Sequence, residues 1–292
     1  MIPAAFAQQT IAREGAPGRT WLDQLPALTE HHLGRWHCTQ TAPAIHGQVA
    51  LIVPATRAGT PVILKLSFPH PGHRFEPTAL ATWSGTGAIH LLERDDQAFA
   101  MLLERLPGET LSTATEDPWH LAGTLARRLA VPAPPEIPRL TATLPGWSRQ
   151  LLAQSKHLGH PLPRRQIDAA LETVEALAED RTDTMLHGDL HFANILRAHR
   201  EPWLVIDPKG LAGTAAFDAA TIVRDRIEEI TDNLEPGLHR RLATYSEAAG
   251  VDPTLARRTT QARAVSSALW ERLHHQPRLG IALADRIAEL LL

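Results

Sequence analysis

Asp189, Asn194 and Asp207 are the residues whose types and spacing point most directly to chemistry. Asp189 stands between two histidines in "LHGDLHFANIL" (186–196), Asn194 follows five positions later, and Asp207 comes after the apolar "WLVI" of 203–206. The stretch "ANILRAHREPWLVID" reads as two short strands around a polar turn, and a hairpin brings its two ends together. The three oxygen-bearing side chains are therefore expected to converge. Carboxylate and amide oxygens are hard ligands suited to magnesium. Phosphoryl transfer needs this division of labour: one aspartate orients the acceptor hydroxyl, while an asparagine and a second aspartate hold metal against nucleotide phosphates. The alternative, a metal site built from His187, Asp189 and His191, leaves Asn194 and Asp207 without roles. His187 reads instead as a group that braces the loop.

Such a reaction also needs a cation on the nucleotide phosphates. Only three of the 29 basic residues are lysines: Lys65, Lys156 and Lys209. In a chain that prefers arginine, a lysine marks a place where a compact ammonium is wanted rather than a wide planar fork. Lys65 lies in "VILKLS", a strand-like run, and Glu76 in the following helix is a candidate ion partner. Pro77 places Glu76 at the start of that helix, because proline is tolerated only in a first turn. Lys209 reads equally as a solvated loop charge or a phosphate contact. Asp218 precedes the apolar "AATIV" and reads as a helix cap that braces the catalytic loop.

The elements that must position these residues change character along the chain. "QVALIVPA", "TPVILKLS", "AIHLLE" and "AFAMLLE" are strand-length apolar runs separated by turn residues, with the helical "FEPTALATWSG" between the second and third. This predicts a mainly antiparallel sheet interrupted by one helix. After the Pro-Gly of "RLPGETL" the periods lengthen. Leu121, Leu125 and Leu129 form one helical stripe, followed by Ile167, Leu171, Val174 and Ala178, then Val265, Leu269 and Leu273, and lastly Ile281, Ala284, Ile287 and Leu291. "PAPPEIPRLTATLPG" is too proline-dense for a helix and reads as a connector. The expected class is α+β, with an N-terminal lobe over 1–105 and a mainly helical C-terminal lobe over 106–292.

"HGDLHFAN" and "IDPKG" resemble the catalytic loop and metal-binding motif of the aminoglycoside and hydroxyurea phosphotransferases. The likeness is nearest to the streptomycin 6-phosphotransferases through "WLDQLPAL", "LIVPATRAGTPVILKLS", "AMLLERLPGETL", "VPAPP" and "REPWLVIDP", in consistent order across residues 20 to 210. The resemblance implies a protein-kinase-like fold of two lobes around a nucleotide cleft, using ATP and Mg2+. It implies Asp189 as catalytic base, Asn194 and Asp207 as metal ligands, Lys65 on phosphate with Glu76 as its partner, and Glu104, Arg105 and Leu106 as a hinge offering backbone groups to the purine. "AIHGQVALIV" has a single glycine where protein kinases carry a glycine-rich loop, and "DPK" in place of "DFG" points to a small-molecule acceptor.

The acceptor expected from the resemblance is a cationic aminoglycoside such as streptomycin. Asp225, Glu228 and Glu229 in "RDRIEEITD" could attract a polycation, and Trp270 with Glu271 could offer a stacking surface and a guanidinium partner. The bland alternative for the acidic stretch is a solvated helix face. Hydroxyurea or a cellular sugar remains an alternative acceptor, and a nucleotide-binding pseudokinase the alternative from another class.

Composition narrows the rest. The 292 residues suffice for a substantial core, and 43% hydrophobic with 21% charged residues is ordinary for a globular chain. A formal net charge of -3 without a basic, aromatic-interleaved track argues against nucleic acid as a main partner. No obligate protein partner is evident. One cysteine excludes an intramolecular disulfide. The start lacks a basic leader and no run has the roughly 18 apolar residues of a membrane span, so the cytoplasm is the expected compartment.

Overall fold

The computed structural model describes residues 2–292 and divides into two compact units, one running through Gly108 together with 198–202, the other comprising 109–197 and 203–292. The division falls three residues beyond the boundary read from sequence, and the tip of the predicted hairpin is counted with the first unit. Arg200 on that tip explains why. Its guanidinium donates to the Glu104 carboxylate and to the carbonyls of Gly85 and Ala88, all residues of the first unit.

In the first unit α1 (Ala4–Arg35) is followed by β1 (Cys38–Gln40), β2 (Ile45–His46), β3 (Ala50–Arg57), β4 (Thr60–Ser67), α2 (Glu76–Trp83), β5 (Leu91–Asp95) and β6 (Ala100–Glu104). The strands form one antiparallel sheet in the order β1-β3-β4-β6-β5, with β2 also paired to β3. Alternate residues of β3 and β4 supply the core face, where Leu51, Val53, Leu64 and Leu66 pack against Phe6, Trp21 and Leu25 of α1. Helix α1 has no counterpart among the sequence expectations. Gly15 breaks it with φ 64° and Pro17 and Pro26 lie inside it, which hides its period.

The second unit contains α3 (Pro118–Leu129), α4 (Leu140–His157), α5 (Arg164–Glu179), β7 (Met185–Leu186), β8 (Ile195–Arg197), β9 (Trp203–Val205), β10 (Leu211–Ala212), α6 (Ala219–Ile222), α7 (Leu234–Ala249), α8 (Pro253–Leu273) and α9 (Arg278–Leu290). The predicted stripes become the buried faces of α3, α5, α8 and α9, whose Leu125, Leu129, Val174, Val265, Leu269 and Ile287 lie in the core. The proline-rich connector ends sooner than predicted: residues 140–146 are helical despite Pro145. Burial of Leu140, Leu144 and Leu151 on one face outweighs the backbone hydrogen bond that the proline removes.

Candidate active site

Two short ladders hold the loop 187–194. Strand β7 pairs with β10 (Leu186↔Leu211), and β8 pairs with β9 (Ile195↔Val205). Between the ladders the Lys209 N–H donates to the His187 carbonyl at 2.8 Å and the Ile206 N–H to the Asn194 carbonyl at 2.9 Å. Asn194 and Asp207 thus flank adjacent rungs, and the Asn194 Nδ2 donates to the Asp189 carbonyl at 3.0 Å. Asp207 adopts a left-handed conformation, φ 57°, as the chain leaves β9 for the Lys209 contact. For a non-glycine residue that conformation costs about 1–2 kcal/mol, which the surrounding hydrogen bonds must offset.

His187 is buried, and both ring nitrogens are engaged. Its Nε2 donates to the Ile206 carbonyl at 2.8 Å, while its Nδ1 accepts the Asp189 N–H at 3.3 Å. Burial pulls its pKa down to about 4, so the ring is neutral and ties the loop to the end of β9. With both nitrogens committed, the ring has no lone pair left for a metal. No group of three or more His, Cys, Asp or Glu able to hold a metal occurs among the described residues.

Gly188 has φ 81°, and a Cβ there would lie 3.0 Å from the Lys209 Cβ and 3.1 Å from a Leu211 methyl. The glycine of "HGD" is therefore a close-approach position. Lys209 uses the proximity: its Nζ lies 3.5 Å from Asp189 Oδ2, both side chains being 35% exposed.

Two carboxylates, one buried and one half-buried, brace the loop from behind. Asp218 sits at the start of α6 but does not cap it with its side chain. Its oxygens accept the His187 and Gly188 N–H groups at 3.1 and 3.0 Å. The expected cap is absent because the side chain turns to the loop. Burial pushes the Asp218 pKa up to about 7, against the pull of Arg263 and of the backbone N–H donors. Asp225 accepts the Phe192 N–H at 2.6 Å, and burial raises its pKa as well.

In the first unit Lys65 and Glu76 form a buried ion pair at 2.6 Å, with side chains 4% and 2% exposed. Glu76 opens α2 and Pro77 occupies its first turn, where the missing N–H costs nothing. Glu104 ends β6, and its side chain is taken up by the His90 N–H at 2.8 Å and by Arg200. The Glu104 carboxylate is thereby committed within the first unit.

A cavity of 740 Å³ opens in the second unit, with Trp147, Phe217, Arg263, Ser267, Trp270 and Glu271 on its walls. It brings Trp270 and Glu271 together, as the sequence suggested. Asp225, Glu228 and Glu229, the other residues expected at an acceptor site, are not on its walls. Asp225 is spent on the loop. Glu229 pairs with Arg226 and with Arg241, and Glu228 lies exposed in a short helical turn, Ile227–Asn233.

Sequence reasoning missed Arg263, Trp147 and Phe217. Arg263 lies over the Phe217 ring at 4.6 Å, and Trp147 donates to Ser266 Oγ at 2.6 Å. Burial lowers the Arg263 pKa, while the charges of Asp218 and Asp189 oppose that shift, which puts its guanidinium in the field of the loop carboxylates. The only local signal was the four-residue spacing of Arg263, Ser267 and Glu271.

Over residues 35–274 the chain matches the family described as aminoglycoside/hydroxyurea antibiotic resistance kinase. It is 34% identical over 277 residues to a streptomycin 6-kinase of Streptomyces glaucescens, covering 92% of this chain and 90% of the relative. It is also 34% identical over 302 residues to a hydroxyurea phosphotransferase of Kitasatospora aureofaciens, of which 86% is covered. Among solved structures, an aminoglycoside phosphotransferase in ternary complex with ADP and hygromycin B superposes with a TM-score of 0.57 at 14% identity, covering 90% of this chain and 96% of that one. The fold is accordingly α+β and protein-kinase-like.

Proposed function

The chain belongs to the aminoglycoside/hydroxyurea antibiotic resistance kinases, and from that premise we propose that it transfers the terminal phosphoryl group of ATP to a hydroxyl of an aminoglycoside such as streptomycin. The cavity carries this choice of acceptor. Its 740 Å³, aromatic walls and single carboxylate suit a hydroxylated, ring-containing cation, within the roughly 300–1,000 Å³ typical of drug-sized ligands. Hydroxyurea would leave most of it unfilled.

In this reading Asp189 orients the acceptor hydroxyl and takes its proton as the new O–P bond forms and the bond to the leaving ADP breaks. Lys209 offsets the charge of that carboxylate until the proton arrives. Lys65, held by Glu76, grips the phosphates, and the backbone of Glu104, Arg105 and Leu106 receives the purine. Asn194 and Asp207 would hold magnesium. The donors fit: the Asn194 amide nitrogen is used on the Asp189 carbonyl, which leaves its oxygen as a ligand, and Asp207 supplies a carboxylate. Two protein oxygens are a normal share for magnesium, which takes the rest from phosphate and water. When bound it supplies charge neutralisation on the transferring group. We place the reaction in the cytoplasm, where ATP is made. No helix among the described residues is long and apolar enough to cross a membrane.

The direct test incubates the protein with ATP, magnesium and a panel of aminoglycosides, sugars and hydroxyurea, and reads phosphate addition by mass spectrometry. An aminoglycoside should be the best acceptor. Preferential transfer to hydroxyurea or a cellular sugar would replace the proposed acceptor, and ATP binding without transfer to anything would favour a pseudokinase.

A further inference from the structure

Helix α8 lines the cavity with Arg263, Ser267 and Glu271, each four residues from the next and therefore on one face over a rise of about 12 Å. The row is electrically ordered. At one end the Arg263 guanidinium lies on the ring of Phe217, whose neighbour Asp218 holds the His187 and Gly188 N–H groups beside Asp189. In the middle Ser267 accepts from Arg224 at 2.9 Å. At the other end Glu271 stands 3.8 Å from Arg224 through one oxygen, while its second oxygen is buried towards Gly280 of α9.

Resting on the phosphotransferase reading, we propose that Arg263 and Glu271 polarise the acceptor cavity. It takes a hydroxylated ring whose cationic group docks at Glu271 and whose oxygens accept from Arg263 at the Asp189 end, so that charge decides which hydroxyl reaches Asp189. Among the described residues Glu271 is the only carboxylate on the cavity wall, and its contact with Arg224 at 3.8 Å is longer than a hydrogen bond. A guanidinium or ammonium beside Trp270 supplies a hydrogen-bonded cation in its place. The reverse orientation sets the acceptor's cation against Arg263 and leaves Glu271 unsatisfied, so both ends select the same pose. Polar recognition is then concentrated in two side chains 12 Å apart along the helix by rise, not in the acidic 224–232 stretch.

The test compares wild type with Glu271→Gln, Arg263→Gln and Arg263→Lys. Streptomycin binding is measured by calorimetry at low and high salt, kinetics with each substrate varied, and the phosphate position in the product by NMR. Glu271→Gln should weaken streptomycin binding tenfold or more and remove most of its salt dependence, with the KM for ATP unchanged. Arg263→Gln should raise the acceptor KM and spread phosphate over more than one hydroxyl. Arg263→Lys, which keeps the charge opposite Asp218, should hold a single product at an intermediate KM. Unchanged binding and salt dependence in Glu271→Gln would overturn the proposal, as would a single product at unchanged KM in Arg263→Gln. Should Arg263→Gln not fold, a wild-type acceptor KM in Arg263→Lys overturns the Arg263 role. Streptomycin binding without transfer by the wild type would sink the phosphotransferase reading alone, leaving the binding comparison to decide the polarity. No streptomycin binding by the wild type would sink both.

Discussion

Asp189 and Lys209 form a pair that neither motif announces alone, since the sequence left Lys209 open between solvent and phosphate. Because the pair is about one-third exposed, its mutual stabilisation is screened and modest, near 1 kcal/mol or less. Lys209→Ala should therefore lower kcat only several-fold and leave stability nearly unchanged. Asp189→Asn removes the proposed proton acceptor, so single-turnover transfer should fall by roughly 10²–10⁴ while magnesium-ATP binding stays near normal. Asp207→Ala should instead weaken nucleotide binding, with recovery at high magnesium. If a magnesium titration found metal dependence lost in Asp189→Asn and kept in Asp207→Ala, the two roles would have to be exchanged. Asp189, Asn194 and Asp207 could be read together because the 14 residues from Asn194 to Asp207 form a hairpin that starts five residues after Asp189. Asp218 was legible as a brace but not in its geometry, because its partners lie about 30 residues back and no local pattern encodes them.

The turn at 223–226 shows why an element read as a charged surface is structural. The buried guanidinium of Arg241, on α7, donates to the carbonyls of Val223, Asp225 and Arg226 and lies over the Trp119 ring at 4.2 Å. The turn in turn carries Asp225 to the Phe192 N–H. Arg241→Met would strand three carbonyls and loosen that brace, costing about 3 kcal/mol and lowering kcat together with stability. Glu228→Gln, at an exposed position off the cavity, should change stability by no more than about 0.5 kcal/mol and leave the acceptor KM alone. A raised acceptor KM in Glu228→Gln would return the acidic stretch to the site. Strands β3, β4, β5, β6, β8 and β9 and the helices α3, α5, α8 and α9 could be read because their apolar periods run unbroken. Helices α1 and α4 could not, since Gly15, Pro17, Pro26 and Pro145 interrupt them and only tertiary burial of Phe6, Trp21, Leu140 and Leu144 makes them helical.

For the whole molecule, the buried loop groups give stability a pH dependence that their opposite signs conceal. His187 is held near 4 against 6.5 in an open chain, so the fold keeps it neutral where the unfolded chain would protonate it. That stabilisation is complete above pH 6.5 and is lost as pH falls towards 4. Asp218 is pushed to about 7 from 3.8, so the fold keeps its proton where the unfolded chain would lose it. Its stabilisation is complete below pH 3.8 and is lost as pH rises through 7. Between pH 4 and 6.5 the two slopes oppose one another, and removing one group should uncover the other. The stability deficit of Asp218→Asn relative to wild type should shrink as pH rises from 4 to 7, by as much as roughly 4 kcal/mol, whereas that of His187→Gln should grow from pH 4 to 6.5 by roughly 3 kcal/mol. Urea unfolding followed by tryptophan fluorescence at pH 4.5 and 7 reads both differences. A deficit for Asp218→Asn that does not vary with pH would mean that Arg263 and the backbone donors keep Asp218 ionised throughout, and that the loop rests on a carboxylate instead of a neutral carboxyl.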